Sequence, residues 1–180
     1  YKDTDGKAGI TTGDKTIIAN TQPKFTFGLT NTINWNNFEF SFLMIGSVGG
    51  DIVNEFNKSI TNIGGTWNIR KDVWQNHWTP ENPNASYPSL HMATKHSNKN
   101  INSLHLKSAA YLRLKNVQIT YSFPASIYRK LGMTGLKVYL NGTNLYTWSK
   151  IDNFDPETVN ASGEVYPQQS VYNLGVNINF

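Results

Sequence analysis

The chain has 180 residues, a formal net charge of +4 and no cysteine, and charged residues make up 16% where about 25% is ordinary. Nine Phe, nine Tyr and five Trp exclude a disordered chain, while apolar runs of only a few residues exclude membrane-spanning helices, which need about 20. The 16 Lys and Arg are scattered, with no run longer than Arg70-Lys71 or Arg129-Lys130, so no nucleic-acid partner is expected.

Tyr1 to Pro23 is a long polar segment. Its start, Tyr1-Lys2-Asp3-Thr4-Asp5-Gly6, is turn sequence and not a leader, so the chain reads as a fragment of something longer. Strict alternation then begins. From Lys24 to Trp35 the odd positions carry Phe25, Phe27, Leu29, Asn31, Ile33 and Trp35, and the even ones carry Lys, Thr, Gly and Asn. Asn36-Asn37 suits a two-residue turn with positive φ. Phe38, Phe40, Phe42 and Met44 return on one face against Glu39 and Ser41, closing a hairpin.

Gly49 to Ser108 is a very long connection. A third strand is predicted over Ala110–Phe123, where apolar residues sit at even positions (Leu112, Leu114) and then at odd ones (Val117, Ile119, Tyr121, Phe123). One extra residue near Lys115-Asn116 restores a single face, which predicts a β-bulge. Pro124 ends this strand, and Ser126–Leu131 suits a helical turn before Gly132. Leu136, Val138 and Leu140 open a fourth strand ending in Tyr146 and Trp148. After the connection Lys150 to Gln169, a fifth strand carries Tyr172, Leu174, Val176, Ile178 and Phe180 against Asn173, Gly175, Asn177 and Asn179.

The fold class is all-β, with antiparallel up-and-down strands. Short turns at one end and long connections at the other are the habit of outer-membrane barrels. The strands exceed the roughly 5–6 residues usual in soluble proteins and suit a tilted span of about 9–11. Asn, Thr, Gly and Ser on the polar face suit a wet lumen, and Trp35, Tyr146 and Trp148 suit interfacial girdles. The alternation alone also fits a soluble, secreted, carbohydrate-binding β-sandwich. In that case Phe25, Phe27, Phe40 and Phe42 form a buried core, and Trp74 and Trp78 stack on sugars.

Several stretches go further. Tyr111-Leu112-Arg113-Leu114-Lys115-Asn116-Val117 with Tyr121 and Pro124, and Val138-Tyr139-Leu140-Asn141-Gly142-Thr143-Asn144-Leu145-Tyr146-Thr147-Trp148, resemble successive strands near the C-terminus of SusC/RagA-type TonB-dependent outer-membrane transporters. Trp78-Thr79-Pro80-Glu81-Asn82-Pro83-Asn84 and Asn153-Phe154-Asp155-Pro156-Glu157 are similar to loops of that family, and Phe180 is similar to its terminal aromatic, read by the assembly machinery. The resemblance implies that residues 1–180 are the C-terminal segment of a barrel of about 22 strands around a plug. The connections 1–23, 49–108 and 150–169 would then be extracellular. It further implies import of oligosaccharides or oligopeptides across the bacterial outer membrane, with a SusD-like surface lipoprotein and the TonB complex as partners. The TonB complex would act through parts absent from this chain, and outer-membrane lipid would surround the barrel.

No catalytic motif is present, and no catalytic, cofactor-binding or metal-binding residue is assigned; the substrate-binding residues are unknown. Asp3, Asp5 and Asp14 resemble part of a calcium loop. Lys7 occupies a ligand position and Ala8 replaces the turn glycine, so a degenerate structural turn is expected. His77, His91, His96 and His105 lack metal-ligand spacing and read as exposed loop residues. The carboxylates Glu39, Asp51, Glu55, Glu81, Asp152, Asp155, Glu157 and Glu164 show no legible pairing. Trp67, Trp74, Trp78 and Tyr87 are expected to pack the long connection against itself or a partner.

Overall fold

The computed structural model describes residues 2–9, 11–54, 68–90, 101–151, 154–158 and 166–180. Backbone contacts divide the chain into two units: Tyr1–Thr21 with Asp51–Lys107, and Gln22–Gly50 with Ser108–Phe180.

The second unit is a five-stranded antiparallel sheet. In chain order the strands are β1 (Pro23–Trp35), β2 (Phe38–Gly49), β5 (Tyr111–Ser122), β6 (Gly135–Ser149) and β7 (Val171–Asn179), and they lie side by side in that order. This is the up-and-down arrangement the alternation predicts. Asn36 takes φ 51° in the two-residue turn, a left-handed conformation that Asn tolerates better than most residues. Strand β2 continues past Met44 to Gly49, although Leu43 and Ile45 interrupt the polar face. Pairing from Pro23↔Gly49 to Trp35↔Phe38 carries it through.

The register breaks where the parity of β5 slips. Leu43 pairs with Asn116 and Met44 with Leu114, leaving Lys115 as the extra residue. On the other side Leu114 pairs with Tyr146 and Asn116 with Thr143, so β6 also carries extra residues there, with Asn144 at φ 51°. With the slip absorbed, one face gathers Phe27, Gly46, Leu112 and Trp148 in one row, and Trp35, Phe38, Tyr121, Val138 and Val176 in another. The other face gathers Thr32, Ser41, Gln118, Asn141 and Asn173. After β5, a short helix α2 (Ala125–Tyr128) and a 3-10 turn over Arg129–Leu131 end on Gly132 at φ 73°, the left-handed cap glycine accepts readily.

Phe25 and Phe27 are 55% and 42% exposed, and Leu174 and Val176 are exposed as well. The buried aromatic core of a sandwich is therefore not what these residues build. Arg113 is the most deeply buried side chain described in this unit, and His105, Val73 and Asn54 are those of the first.

In the first unit, β3 (Asp51–Val53) and β4 (Leu106–Ser108) pair into a two-stranded sheet. A short helix, α1 (Lys71–Gln75), leads into a turn system tied by the Trp78 N–H to the Tyr87 carbonyl at 2.9 Å and the Asn82 N–H to the Thr79 carbonyl at 3.0 Å. The connection 49–108 is thus partly structured, which its lack of clear periodicity conceals.

Candidate functional site

The polar face of the sheet carries one deeply buried cation. Arg113, in β5, faces Thr147 directly across the β5–β6 ladder, and its Nε donates to Thr147 Oγ1 at 2.8 Å. Its Nη2 donates to Asp155 Oδ2 at 2.6 Å, and its Nη1 donates to Glu157. The Arg113 side chain is 1% exposed, against 12% for Asp155 and 29% for Glu157. The Tyr111 hydroxyl donates to the second Glu157 oxygen at 2.9 Å, and the guanidinium lies 5.7 Å from the Tyr111 ring centroid. Lys115 Nζ stands 4.0 Å from Glu157 Oε2. Charge in the cluster is therefore close to balanced: two cations and two carboxylates.

The turn that carries the two carboxylates is also braced locally. Asp155 Oδ1 accepts the Glu157 N–H at 2.9 Å, and its carbonyl accepts the Thr158 N–H at 3.0 Å. Further on, Asn144 Nδ2 donates to Gln168 Oε1 and to the Gln169 carbonyl, each at 3.2 Å, while the Ser170 hydroxyl donates to the Asn144 carbonyl at 2.6 Å. Between these two anchorages lies a concavity of about 340 Å³, bounded by Arg113, Thr147, Phe154, Pro156, Pro167 and Gln168. The sequence gives no sign that Asp155 and Glu157 meet Arg113. The one available signal is an arginine at a polar-face strand position, which needs a counter-charge when covered.

In the first unit Asp3, Asp5 and Asp14 bring carboxylate oxygens within 4.8 Å of one another. Each already serves the turn. Asp14 accepts the N–H groups of Thr4 (2.6 Å), Asp5 (3.2 Å) and Thr11 (2.7 Å). Asp3 accepts from Gly6 N–H at 2.7 Å, and Asp5 accepts from Lys7 N–H at 3.0 Å and the Thr11 hydroxyl at 2.9 Å. The hydrogen bonds from Thr11 and then Thr4 hold the Asp14 carboxyl down at about 2. Lys7 Nζ lies 3.9 Å from Asp5.

Elsewhere the loop residues divide. Trp74 and Trp78 are 61% and 45% exposed, and the Trp74 ring lies 5.5 Å from that of His77. Tyr87 packs the connection as expected, its hydroxyl donating to Asp72 at 3.0 Å beside the Arg70–Asp72 pair at 2.8 Å. Burial pushes the Asp72 carboxyl up, but the hydrogen bonds from Arg70 and Tyr87 outweigh it and hold the group below its ordinary value. His105 is buried, not exposed, because it closes an Asn102-capped turn and its carbonyl accepts the Asn54 N–H at 2.9 Å. His77 Nδ1 donates to the Trp74 carbonyl at 2.6 Å. His91, His96, Trp67, Glu55, Asp152 and Glu164 lie outside the described residues.

No protein-family model matches the chain. TonB-dependent receptor P26 of Formosa agariphila is 31% identical over 195 residues, spanning all of this chain and 19% of that protein. TonB-dependent receptor P3 of the same organism is 29% identical over 194 residues, again over the whole chain and 19% of the relative. TonB-dependent receptor SusC of Bacteroides thetaiotaomicron is 22% identical over 183 residues and the whole chain. Among solved structures, the RagAB peptide transporter matches 98% of this chain and 20% of that one, with a TM-score of 0.77 at 26% identity. The RagAB peptide importer in its closed-closed state matches 91% of the chain with a TM-score of 0.77 at 28% identity. The chain thus spans about a fifth of the length of the curated relatives it matches. With relatives aligned end to end along it and a solved transporter matching nearly all of it, the chain is similar over its whole length to a β-barrel portion of the SusC/RagA-type TonB-dependent outer-membrane transporters.

Proposed function

We propose that this chain is part of the wall of an importer for oligopeptides or glycan fragments, energised through TonB and working with a SusD-like surface lipoprotein. The observation that carries this reading is the match of 98% of the chain to the RagAB peptide transporter at a TM-score of 0.77. The apolar face of the sheet meets lipid and the polar face lines the lumen. Tilt arithmetic supports that assignment. Phe38 belongs to an aromatic row with Trp35 and Tyr121 at one end, and Gly46 sits in the row of Trp148 at the other. Eight steps at ~3.3 Å and a tilt of about 40° give ~20 Å along the membrane normal, near the ~25 Å apolar band of such barrels.

The outer edges of β1 and β7 carry unpaired ladder groups, which cost several kcal/mol each in hydrocarbon, so both edges pair with further strands of the barrel. The short connections, at Asn36-Asn37 and Pro124–Thr134, lie on the periplasmic side. The long ones, 1–23, 49–108 and 150–169, lie outside the cell. The chain's role is lumen lining and loop contact, with no covalent step.

The test is deletion of the encoding gene in the source bacterium, followed by uptake of fluorescent oligopeptides and oligosaccharides. The reading expects loss of one substrate class, restored by complementation, abolished by a protonophore, and co-purification of the transporter with a lipoprotein. Unchanged uptake of both classes would overturn it.

A further inference from the structure

The Arg113 cluster differs in kind from the other ion pairs among the described residues. Arg70–Asp72 is a half-exposed pair between near neighbours, of the sort that contributes little. Arg113 is wholly covered, and each of its three nitrogens serves a different acceptor: Thr147 on the adjacent strand, then Asp155 and Glu157 on the β6–β7 connection. A planar fork can satisfy three acceptors at once; a lysine ammonium on a flexible stem cannot reproduce that geometry. Tyr111 holds the remaining Glu157 oxygen and presents its ring to the guanidinium, so the neighbouring position on the strand reinforces the same contact.

We infer that Arg113 is a positioning residue that straps the Asp155-Pro156-Glu157 turn onto the polar wall of the sheet and so keeps the adjoining cavity formed. The cavity supports this from its own side. Phe154 and Pro156 border it from the strapped turn, Pro167 and Gln168 from the returning segment, and Thr147 from the wall. Asn144 fixes that returning segment separately, through the Gln168 side chain and the Gln169 carbonyl. The β6–β7 connection is therefore tied down on both sides of the cavity. Only the Arg113 tie depends on charge, and its burial shields it from salt.

The test uses the full-length protein, purified in detergent, with Pro156→Cys as the only cysteine, and reads the rate of maleimide labelling. Thr120→Cys, buried on the same strand, is the control for general loosening. With Arg113 intact, Pro156→Cys labels slowly. Arg113→Ala is expected to speed its labelling by about tenfold or more, because it takes the charged partner from the largely covered Asp155 and leaves Glu157 only Tyr111 and Lys115. Arg113→Lys gives a partial rescue, and Thr120→Cys is unchanged in all backgrounds. If Arg113→Ala does not fold, Glu157→Gln decides instead, since it keeps the shape and removes the charge; a several-fold rise is expected. Equal labelling of Pro156→Cys with and without the cluster would overturn the inference. So would a parallel rise at Thr120→Cys, which would mean general loosening of the barrel.

Discussion

Arg113 and Thr147 occupy directly opposed positions of the β5–β6 ladder, and the guanidinium Nε donates to the threonine hydroxyl at 2.8 Å. This hydrogen bond ties the guanidinium to the adjacent strand independently of the loop carboxylates. Thr147→Val removes the acceptor at nearly constant volume and strands a buried donor. A loss of about 1–3 kcal/mol is expected in urea unfolding of the full-length protein, while Thr147→Ser should retain most of the stability.

The two faces of the sheet predict opposite responses at one depth. Val117 lies in the middle row of the apolar face with Phe42 and Gly142, and Gln118 lies beside it on the polar face. Val117→Arg should cost about 2–4 kcal/mol of folding free energy into liposomes. Gln118→Arg should cost far less, because its side chain reaches water. The comparison is read from urea titrations of the two variants.

Asn31 breaks the apolar row of β1, opposite Phe42 in the register. On the lipid-facing assignment Asn31→Leu should stabilise the barrel by about 0.5–2 kcal/mol, the partial cost of holding an amide in an apolar phase. A stability decrease on the same urea titration would mean that the amide has a polar partner on a neighbouring strand.

Acid should open the N-terminal turn through Asp14. Its carboxyl is held at about 2, below its ordinary value of 3.8, by the N–H groups of Thr11 and Thr4. A folded pKa below the unfolded one gives stability that is complete above the ordinary value and lost as pH falls through the folded one. Hydrogen exchange at the Thr4 and Thr11 amides, corrected for intrinsic rates, should lose protection between pH ~4 and ~2. Asp14→Asn should flatten that dependence.

Much of the sheet is legible in the sequence, for a physical reason. A strand with one apolar face writes its register as a period of two, and the parity slip at Lys115 is the written form of the bulge seen there. Reading fails where both faces turn apolar, as at Leu43-Met44-Ile45, so the true length of β2 is hidden. It fails again in the connection 49–108, where three-residue strands and a five-residue helix are too short for any periodicity. The Arg113 cluster was illegible because its carboxylates lie 42 and 44 positions away in sequence. Chain order carries no information about such meetings. Burial of His105 is likewise a tertiary outcome that residue type alone misjudges.

The central claim is that one face of this sheet meets lipid and the other lines a wet lumen. Nitroxide labels placed singly at Val117→Cys and Gln118→Cys in the reconstituted full-length protein test it most directly. The account predicts that the label at 117 collides with dissolved oxygen and not with a water-soluble nickel complex, and that the label at 118 does the reverse. Access of the nickel complex to position 117, with oxygen favoured at 118, would contradict it.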